Sequence, residues 1–481
     1  GIVLDVEIKD SKITDVKVKR AKESEFATPA IQEIAKKVIA TQSLDVDGIS
    51  GASLTSEGTK EAIEEAVKKS GVTLTAVTVQ NTKAVELPKE GDVVVIGAGG
   101  AGLTSAIAAH EKGAKVILIE KTELLGGNTN YATAGLNAAG TKIQEKLGVK
   151  DSPELFYEDT MKGGKNKNNK ELVRVLVNNS SAIVDWLIER GADLSELTST
   201  GGQSAKRTHR PTGGTAVGPN IVAALSKTAE NEKIDIRKGT KAIALVKTKN
   251  RIVGVKVREI DGKEYTIKAK AVIVATGGFG ANAKMVEKYN PKLKGFGSTN
   301  SPAIVGDGII MVEKVGGALV DMSEIQTHPT VVYNKTNMIT EAVRGEGAIL
   351  VNKDGKRFID ELETRDVVSK AILSQKGKSA FLIFDEDIRT KLKAADGYVK
   401  KGFAVEGTLE EIAAKIGTDA KTLEATLNKY NEAVRDKVDS EFNKKTLPKE
   451  LTGTKYYAIE VSPAVHHTMG GVRINTNAEV L

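Results

Sequence analysis

The sequence contains no cysteine, which excludes disulfides, thiolate zinc sites, iron–sulfur clusters and C-x-x-C-H haem attachment in one step. Redox chemistry on this chain must therefore use an organic carrier. Aromatic residues make up only 4% and there are just five histidines, so a histidine that recurs beside other polar motifs carries weight. No run approaches the ~18 consecutive apolar residues of a membrane helix, and the N-terminus lacks the basic segment, apolar core and cleavage site of a secretion signal. Blocks of one charge are also missing. The 70 Lys and Arg against 63 Asp and Glu leave a net +7, but the lysines are dispersed and no basic stripe is interleaved with aromatics. That describes a solvated surface rather than a nucleic-acid site.

What is present is the composition of a globular protein, 40% apolar and 28% charged. At 481 residues the chain exceeds one ordinary core, and roughly 100–200 residues per domain predicts about three. Residues 1–82 read as a small α+β unit. Ile2, Leu4, Val6 and Ile8 alternate, Asp10-Ser11-Lys12 turns, and Ile13, Val16 and Val18 resume, which predicts a hairpin. Helices follow at Ala27 to Thr41 and at Ser56 to Lys69, the latter with Ala62, Ile63 and Val67 on one face. Val72 to Val79 reads as a closing strand and Asn81 to Glu90 as a linker.

From Asp92 the period changes. Val93-Val94-Val95-Ile96 is the continuous apolar run of a strand buried on both faces, followed by a glycine-rich turn, a helix from Ala101 to Glu111 and a strand from Lys115 to Ile119. That is a βαβ unit. Ala271 to Gly278 repeats the strand-into-glycine pattern, and Ser180 to Arg190 reads as a helix ended by Gly191. Residues 333–464, with helices at Leu409 to Ile416 and Ala420 to Asp436, differ in character and read as an inserted lid.

Each position of the turn Gly97-Ala98-Gly99-Gly100-Ala101-Gly102 has a mechanical use. The first glycine makes the turn, the second admits a pyrophosphate near the backbone, and the third lets helix and strand pack closely. The helix N-terminus adds amide donors and a positive dipole. Glu120, at the end of the next strand, can bond ribose hydroxyls. Alone the glycine pattern is weak; between a strand and a helix it reads as dinucleotide binding.

Asp47-Gly48-Ile49-Ser50-Gly51-Ala52-Ser53 is ambiguous, because Asp, Gly and Ser also make ordinary helix-leading loops. Glu341 and Arg344 are three apart, which puts them on one face if helical but is also the spacing of a plain surface ion pair. Together with Arg365, His328 in Gln326-Thr327-His328-Pro329-Thr330, and His466-His467, they form a set suited to a dianionic ligand.

From about residue 91 onward the chain resembles the flavoprotein subunits of fumarate reductases and succinate dehydrogenases, and especially the soluble bacterial fumarate reductases. The resemblance is carried by Gly126-Gly127-Asn128-Thr129, Asp151-Ser152-Pro153-Glu154, His209-Arg210-Pro211-Thr212-Gly213-Gly214, Gly306-Asp307-Gly308, Thr340 to Gly345 and the double histidine, all in family order. The segment ending at Ser53 resembles the acceptor motif of domains that join a hydroxyl residue to FMN through a phosphoester. The resemblance implies an α/β and α+β multidomain fold: an FMN-binding domain over 1–82, a Rossmann-like FAD-binding domain over 91–332 and 465–481, and a capping domain over 333–464.

It further implies non-covalent FAD held by Gly97, Gly99, Gly102, Glu120, Lys121, Asn128, Thr129, Gly277 and Asp307, with His467 against the flavin, and covalent FMN on Ser53. Arg365 would be the proton donor, with Glu341 and Arg344 as the relay behind it. His328 and Thr340 would hold one substrate carboxylate and His466 the other. No metal is implied. Family members continue into a glycine-rich stretch that completes the FAD site and adds a second substrate arginine, so a chain running from Gly1 to Leu481 is expected to be a trimmed fragment of low activity.

The expected reaction is reduction of fumarate to succinate, with electrons passing from FMN to FAD. The donor is unidentified, and the location is extracytoplasmic, periplasm or cell surface, with the cytoplasm as the alternative. Rival readings are a reductase of another 2-enoate (urocanate, acrylate or methacrylate), a flavin oxidase of the aspartate oxidase type, and a non-catalytic electron carrier. An oxidase needs no FMN relay, and a carrier needs neither Arg365 nor the histidines.

Overall fold

The computed structural model describes the chain except residues 22–27, 50–51, 78–86 and 201, and gives only the backbone of 28, 53 and 54. Ser50 and Gly51 of the acceptor segment and much of the 81–90 linker thus lie outside the described residues. Strands β1 (Ile2–Lys9) and β2 (Lys12–Ala21) form the predicted hairpin, with Asp10 and Ser11 at φ of 48° and 59°. Two successive positive φ values give the turn whose twist matches its strands, and short polar side chains tolerate them. The alternation of β1 sets Leu4, Val6 and Ile8 against Ala30, Ile34 and Val38 of α1 (Thr28–Thr41) and Ile63 and Val67 of α2 (Ser53–Ser70).

Two expectations for this region need correction. Helix α2 begins at Ser53, not Ser56, because Ser56 does not cap it: the Ser56 hydroxyl donates to the Ala52 carbonyl and accepts from the Ile49 amide, both at 2.9 Å, from inside the first turn. The closing strand is not formed over residues 72–77, which join no ladder; Val77 N donates to the Thr41 carbonyl at 2.7 Å while Leu74 packs on the core. Strand propensity does not make a strand where no neighbour offers a ladder.

The first compact unit takes in residues 1–277, 301–320 and 472–481. Beyond the small domain it is built on β3 (Glu90–Ile96), α3 (Gly100–Glu111) and β4 (Val116–Ile119). These belong to a six-stranded sheet in the order Asp235–Arg237, β4, β3, Glu264–Val274, Arg251–Glu259, Thr240–Thr248. The first four are parallel and the last two are added as antiparallel hairpins. Val95 and Leu118 face a core shared with Leu103 and Ile107 of α3, whereas Val94, Ile96, Ile117 and Ile119 face Val255, Val257 and Ile267. Burial on both faces is why β3 and β4 read as unbroken apolar runs. The helix expected at Ser180 to Arg190 starts at Lys170, where Asn169 caps the Glu171 and Leu172 amides at 3.1 Å. Its exposed Val175 and Leu176 blur the amphipathic period over the first turns.

The second compact unit takes in residues 278–300 and 321–471. Its spine is the 13-residue strand Tyr456–Thr468, which pairs antiparallel with Ala380–Asp385, Val405–Gly407 and Ile325–Val332 and parallel with Gly297–Ser298. The unit is wider than 333–464 because this strand runs on past residue 464 and carries its partner, Ile325–Val332, with it. Ile349, Leu382, Phe384, Tyr457 and Ile459 centre its core. Helices Leu409–Ile416 and Ala420–Asp436 stand at the expected positions, capped by Thr408 and Asp419.

Candidate functional site

In the first unit the glycine turn does what its spacing requires. Gly97 has φ of 97°, and a Cβ there would meet the Ala275 carbonyl oxygen at 2.7 Å. A Cβ on Gly102 would fall 1.7 Å from the Gly97 carbonyl oxygen, so α3 packs against the turn only with glycine at that position. Gly99 precedes α3 without a side-chain cap. Thr129 Oγ1 takes the Gly100 amide, and a phosphate at this N-terminus would be met by the remaining amides of the first turn.

Glu120 is buried at the end of β4, and its Oε2 accepts from the Ala98 amide at 2.9 Å. Its Oε1 accepts from the Thr122 amide and hydroxyl, each at 2.9 Å, so the carboxylate is oriented before any ribose arrives. Thr129 Oγ1 accepts from Gly100 N at 2.9 Å, and Asn128 Oδ1 from Ser301 N at 2.9 Å. Asp307 holds Lys121 at 2.5 Å and Lys241 at 3.4 Å. Gly277 has φ of 71°. The acceptor segment ends at the first residue of α2, where Ala52 offers no side-chain cap. An 18-residue helix whose N-cap residue, Ala52, supplies no side-chain cap can take a phosphate there.

In the second unit, Glu341 and Arg344 share the short helix Glu341–Gly345, and Arg365 opens the helix Arg365–Leu373. Glu341 Oε2 lies between two guanidiniums, 3.5 Å from Arg365 Nε and 3.9 Å from Arg344 Nη2. Arg365 Nη1 also donates to Gln326 Oε1 at 3.1 Å. Arg344 is 1% exposed and donates from Nη1 to the Glu361 carbonyl, while its Nε and Nη2 find no hydrogen-bond partner. Burial, with the like charge of Arg365 beside it, pulls the Arg344 guanidinium below its ordinary value. Thr340 precedes the short helix, its amide donating to the Tyr398 hydroxyl at 3.1 Å.

His328 and His466 meet edge to face with ring centroids 5.6 Å apart. The strands carrying them slip in register here: Gln326 faces His467 and Thr327 faces Val465, which leaves His466 as the extra residue of a β-bulge. A bulge re-aims a side chain, and here it brings His466 to His328. Asn300 Nδ2 donates to the Val465 and His466 carbonyls at 3.3 and 3.2 Å, and Thr299 Oγ1 lies 2.8 Å from His466 Nδ1. His328 is buried with neither ring nitrogen in a hydrogen bond of normal geometry.

Burial, reinforced by Arg365, Arg344 and His466, depresses His328 to about 2. Burial and Arg365 bring His466 to about 4. Both histidines are therefore neutral near pH 7 and act as hydrogen-bonding groups, with the positive charge residing on the arginines. An unpaired buried polar group next to cations is poised for an anion.

Of the residues expected to act together, the structure gathers Arg365, Glu341, Arg344, His328 and His466; His467 follows His466 in the strand as an exposed side chain. Three contributors were not foreseen. Gln326 stands two residues before His328, a strand spacing that is a usable signal. Thr299 and Glu361 carry no local signal. Glu361 is fully buried, bound by Arg357 at 2.9 and 3.0 Å and by Lys444 at 2.9 Å, and so anchors the carbonyl that Arg344 uses.

Residues 92–481 match the FAD binding domain family and residues 1–68 the FMN-binding domain family. The chain is 43% identical to an NADH:fumarate oxidoreductase of Klebsiella pneumoniae, over 100% of this chain and 52% of that protein. It is 50% identical to a fumarate reductase (cytochrome) of Shewanella frigidimarina, over 81% of this chain and 69% of that one. A urocanate reductase of Eggerthella lenta is 36% identical, over 94% of this chain and 78% of that one. The solved open conformation of a flavocytochrome c3 fumarate reductase superposes with a TM-score of 0.76 at 42% identity, covering 82% of this chain and 70% of that one. The chain thus spans about half the length of the Klebsiella relative.

Proposed function

Because the chain belongs to the fumarate reductase flavoprotein family and joins an FAD-binding to an FMN-binding domain, we propose that it reduces fumarate to succinate. The Gly97–Gly102 turn with Glu120, Lys121, Asn128, Thr129, Gly277 and Asp307 would hold FAD and Ser53 would carry FMN; when bound, FAD would supply hydride and FMN the electrons that renew it.

The observation that carries the reading is one carboxylate oxygen, Glu341 Oε2, shared by Arg365 and the buried Arg344. Hydride addition to one alkene carbon leaves a carbanion at the next, stabilised by the adjacent carboxylate, and the site must deliver a proton to it. An arginine is ordinarily too weak an acid, with a pKa above ~12, but the carbanion is strongly basic and the transfer becomes feasible as hydride arrives. Arg365 donates from its guanidinium to the carbanion, and Glu341, 48% exposed, takes up a proton from solvent or from Arg344 and passes it to the neutral Arg365, so that each group regains its starting charge. His328, Thr340 and His466 would donate hydrogen bonds to the substrate carboxylates, twisting and polarising the double bond, and His467 is the residue assigned to the flavin. Buried and neutral, His328 gains from an arriving dianion, because its ring nitrogens have no hydrogen bond of normal geometry and the anion supplies one.

The test is anaerobic reoxidation of a reduced viologen dye by the flavin-loaded chain over fumarate, urocanate, acrylate and methacrylate. Fumarate should be the fastest acceptor. Faster turnover of urocanate or a monocarboxylate would replace the substrate assignment, and oxygen consumption driven by succinate or L-aspartate with no dye present would replace reduction by an oxidase reaction. An extracytoplasmic location goes with this proposal and is checked by cell fractionation.

A further inference from the structure

Lys37 of α1 reaches out of the small domain. Its Nζ lies 3.2 and 3.4 Å from the two Glu123 carboxylate oxygens and 3.5 Å from the Asp47 carbonyl at the head of the acceptor segment. Glu123 follows Glu120 by three residues, and the next residue, Leu124, packs on the apolar core built by Ile34, Val38 and Ile63. The stretch that carries both contacts is itself tied to the nucleotide cradle. Thr122 Oγ1 lies 2.9 Å from Glu120 Oε1 and 2.7 Å from the Leu124 carbonyl, Asn130 donates to the Leu125 carbonyl at 2.8 Å, and Gly126 N donates to the Ala98 carbonyl at 2.8 Å. Residues 120–126 thus touch the glycine turn on one side and the small domain on the other.

We propose that Lys37, Glu123 and Leu124 are the docking contact that holds the FMN-binding domain in register with the FAD-binding domain for electron transfer. The inference rests on the reading that FMN on Ser53 feeds FAD. In that step two electrons and two protons leave reduced FMN and arrive on oxidised FAD, so FMN is reoxidised, FAD is reduced and no further reactant is needed. The three side chains are positioning residues. The ion pair, 32% and 25% exposed, is too accessible to hold the domain alone, and Leu124 adds the apolar part of the contact.

The experiment compares the flavin-loaded chain with Lys37→Glu, Leu124→Ser and the charge-swapped pair Lys37→Glu with Glu123→Lys. Flash photoreduction with the absorbance of each flavin followed in time reads the inter-flavin rate; a small dye that reduces FAD directly reads fumarate turnover; hydrogen exchange of the flavin-free chain reads residues 120–126. Both single variants should slow FMN-to-FAD transfer roughly tenfold or more through loss of the docked population, with dye-driven turnover unchanged. Exchange at 120–126 should quicken in both, and the swapped pair should recover most of the rate. Transfer at the unmodified rate in both single variants overturns the docking role, as does a swapped pair no better than Lys37→Glu. An unmodified chain that reduces fumarate from the dye but shows no FMN-to-FAD transfer refutes the FMN half of the functional reading itself, a result distinct from either.

Discussion

Replacing Arg365 with alanine separates a proton donor from a binding group by a comparison of two energies. The side chain is 35% exposed and its carboxylate partner Glu341 48%, so the ion pair between them contributes no more than ~1 kcal/mol to folding. Its second contact, to Gln326, is likewise part-buried. Arg365→Ala should therefore lower the melting temperature only slightly. A positioned general acid, by contrast, contributes roughly 10²–10⁴-fold to rate, about 2.7–5.4 kcal/mol of barrier. The expected result is a kcat loss in that range with a modest change in KM, because on the proposed assignment His328, Thr340 and His466 would still hold the carboxylates. Arg365→Lys should recover part of the rate, since an ammonium also donates a proton, though from another position. Stopped-flow should show FAD reduction by the dye unimpaired and its reoxidation by fumarate stalled. A variant whose KM rises steeply at unchanged kcat would make Arg365 a carboxylate clamp and refute the assignment of the donor.

Ser53→Ala removes the only hydroxyl that the acceptor motif assigns to the phosphoester, so intact mass should show no FMN on the chain while FAD still binds; FMN retained covalently in that variant would move the attachment elsewhere. Gly102→Ala places a Cβ 1.7 Å from the Gly97 carbonyl oxygen, and the forced separation of α3 from the turn should cost ~3 kcal/mol or more and release FAD, read by melting temperature and flavin fluorescence. His328, 1% exposed and depressed to about 2, resists protonation when folded but accepts a proton below pH ~6.5 when unfolded. The unfolded state then binds more protons, so stability falls with decreasing pH by up to ~1.4 kcal/mol per unit between about 6 and about 2. Urea midpoints across that range should lose this slope in His328→Gln, and an unchanged slope would show that the proton is taken up by other groups.

The sequence alone determined those features whose physics is local. A glycine turn between an apolar strand and a helix, with Glu120 at the end of the next strand, is specified by chain geometry within 24 residues. Helices Leu409–Ile416 and Ala420–Asp436 are likewise set by their own caps and periodicity. The i, i+3 spacing of Glu341 and Arg344 puts them on one face as soon as the helix forms. The tertiary structure decided whatever depends on a partner distant in the chain. Ser56 reads as a helix start until its hydroxyl is seen bonding Ile49 and Ala52, and Val72 to Val79 reads as a strand although residues 72–77 find no ladder. The bulge that re-aims His466 is a register slip against Ile325–Val332, more than 130 residues away; Gln326 joins the site through that pairing and its Arg365 contact, and Thr299 through the separate pairing of Gly297–Ser298 and its bond to His466. Whether a histidine is a cation or a neutral donor is likewise absent from its sequence neighbourhood. Desolvation and the surrounding arginines set it, and only the folded chain buries His328 and Arg344 and brings Arg365 beside them.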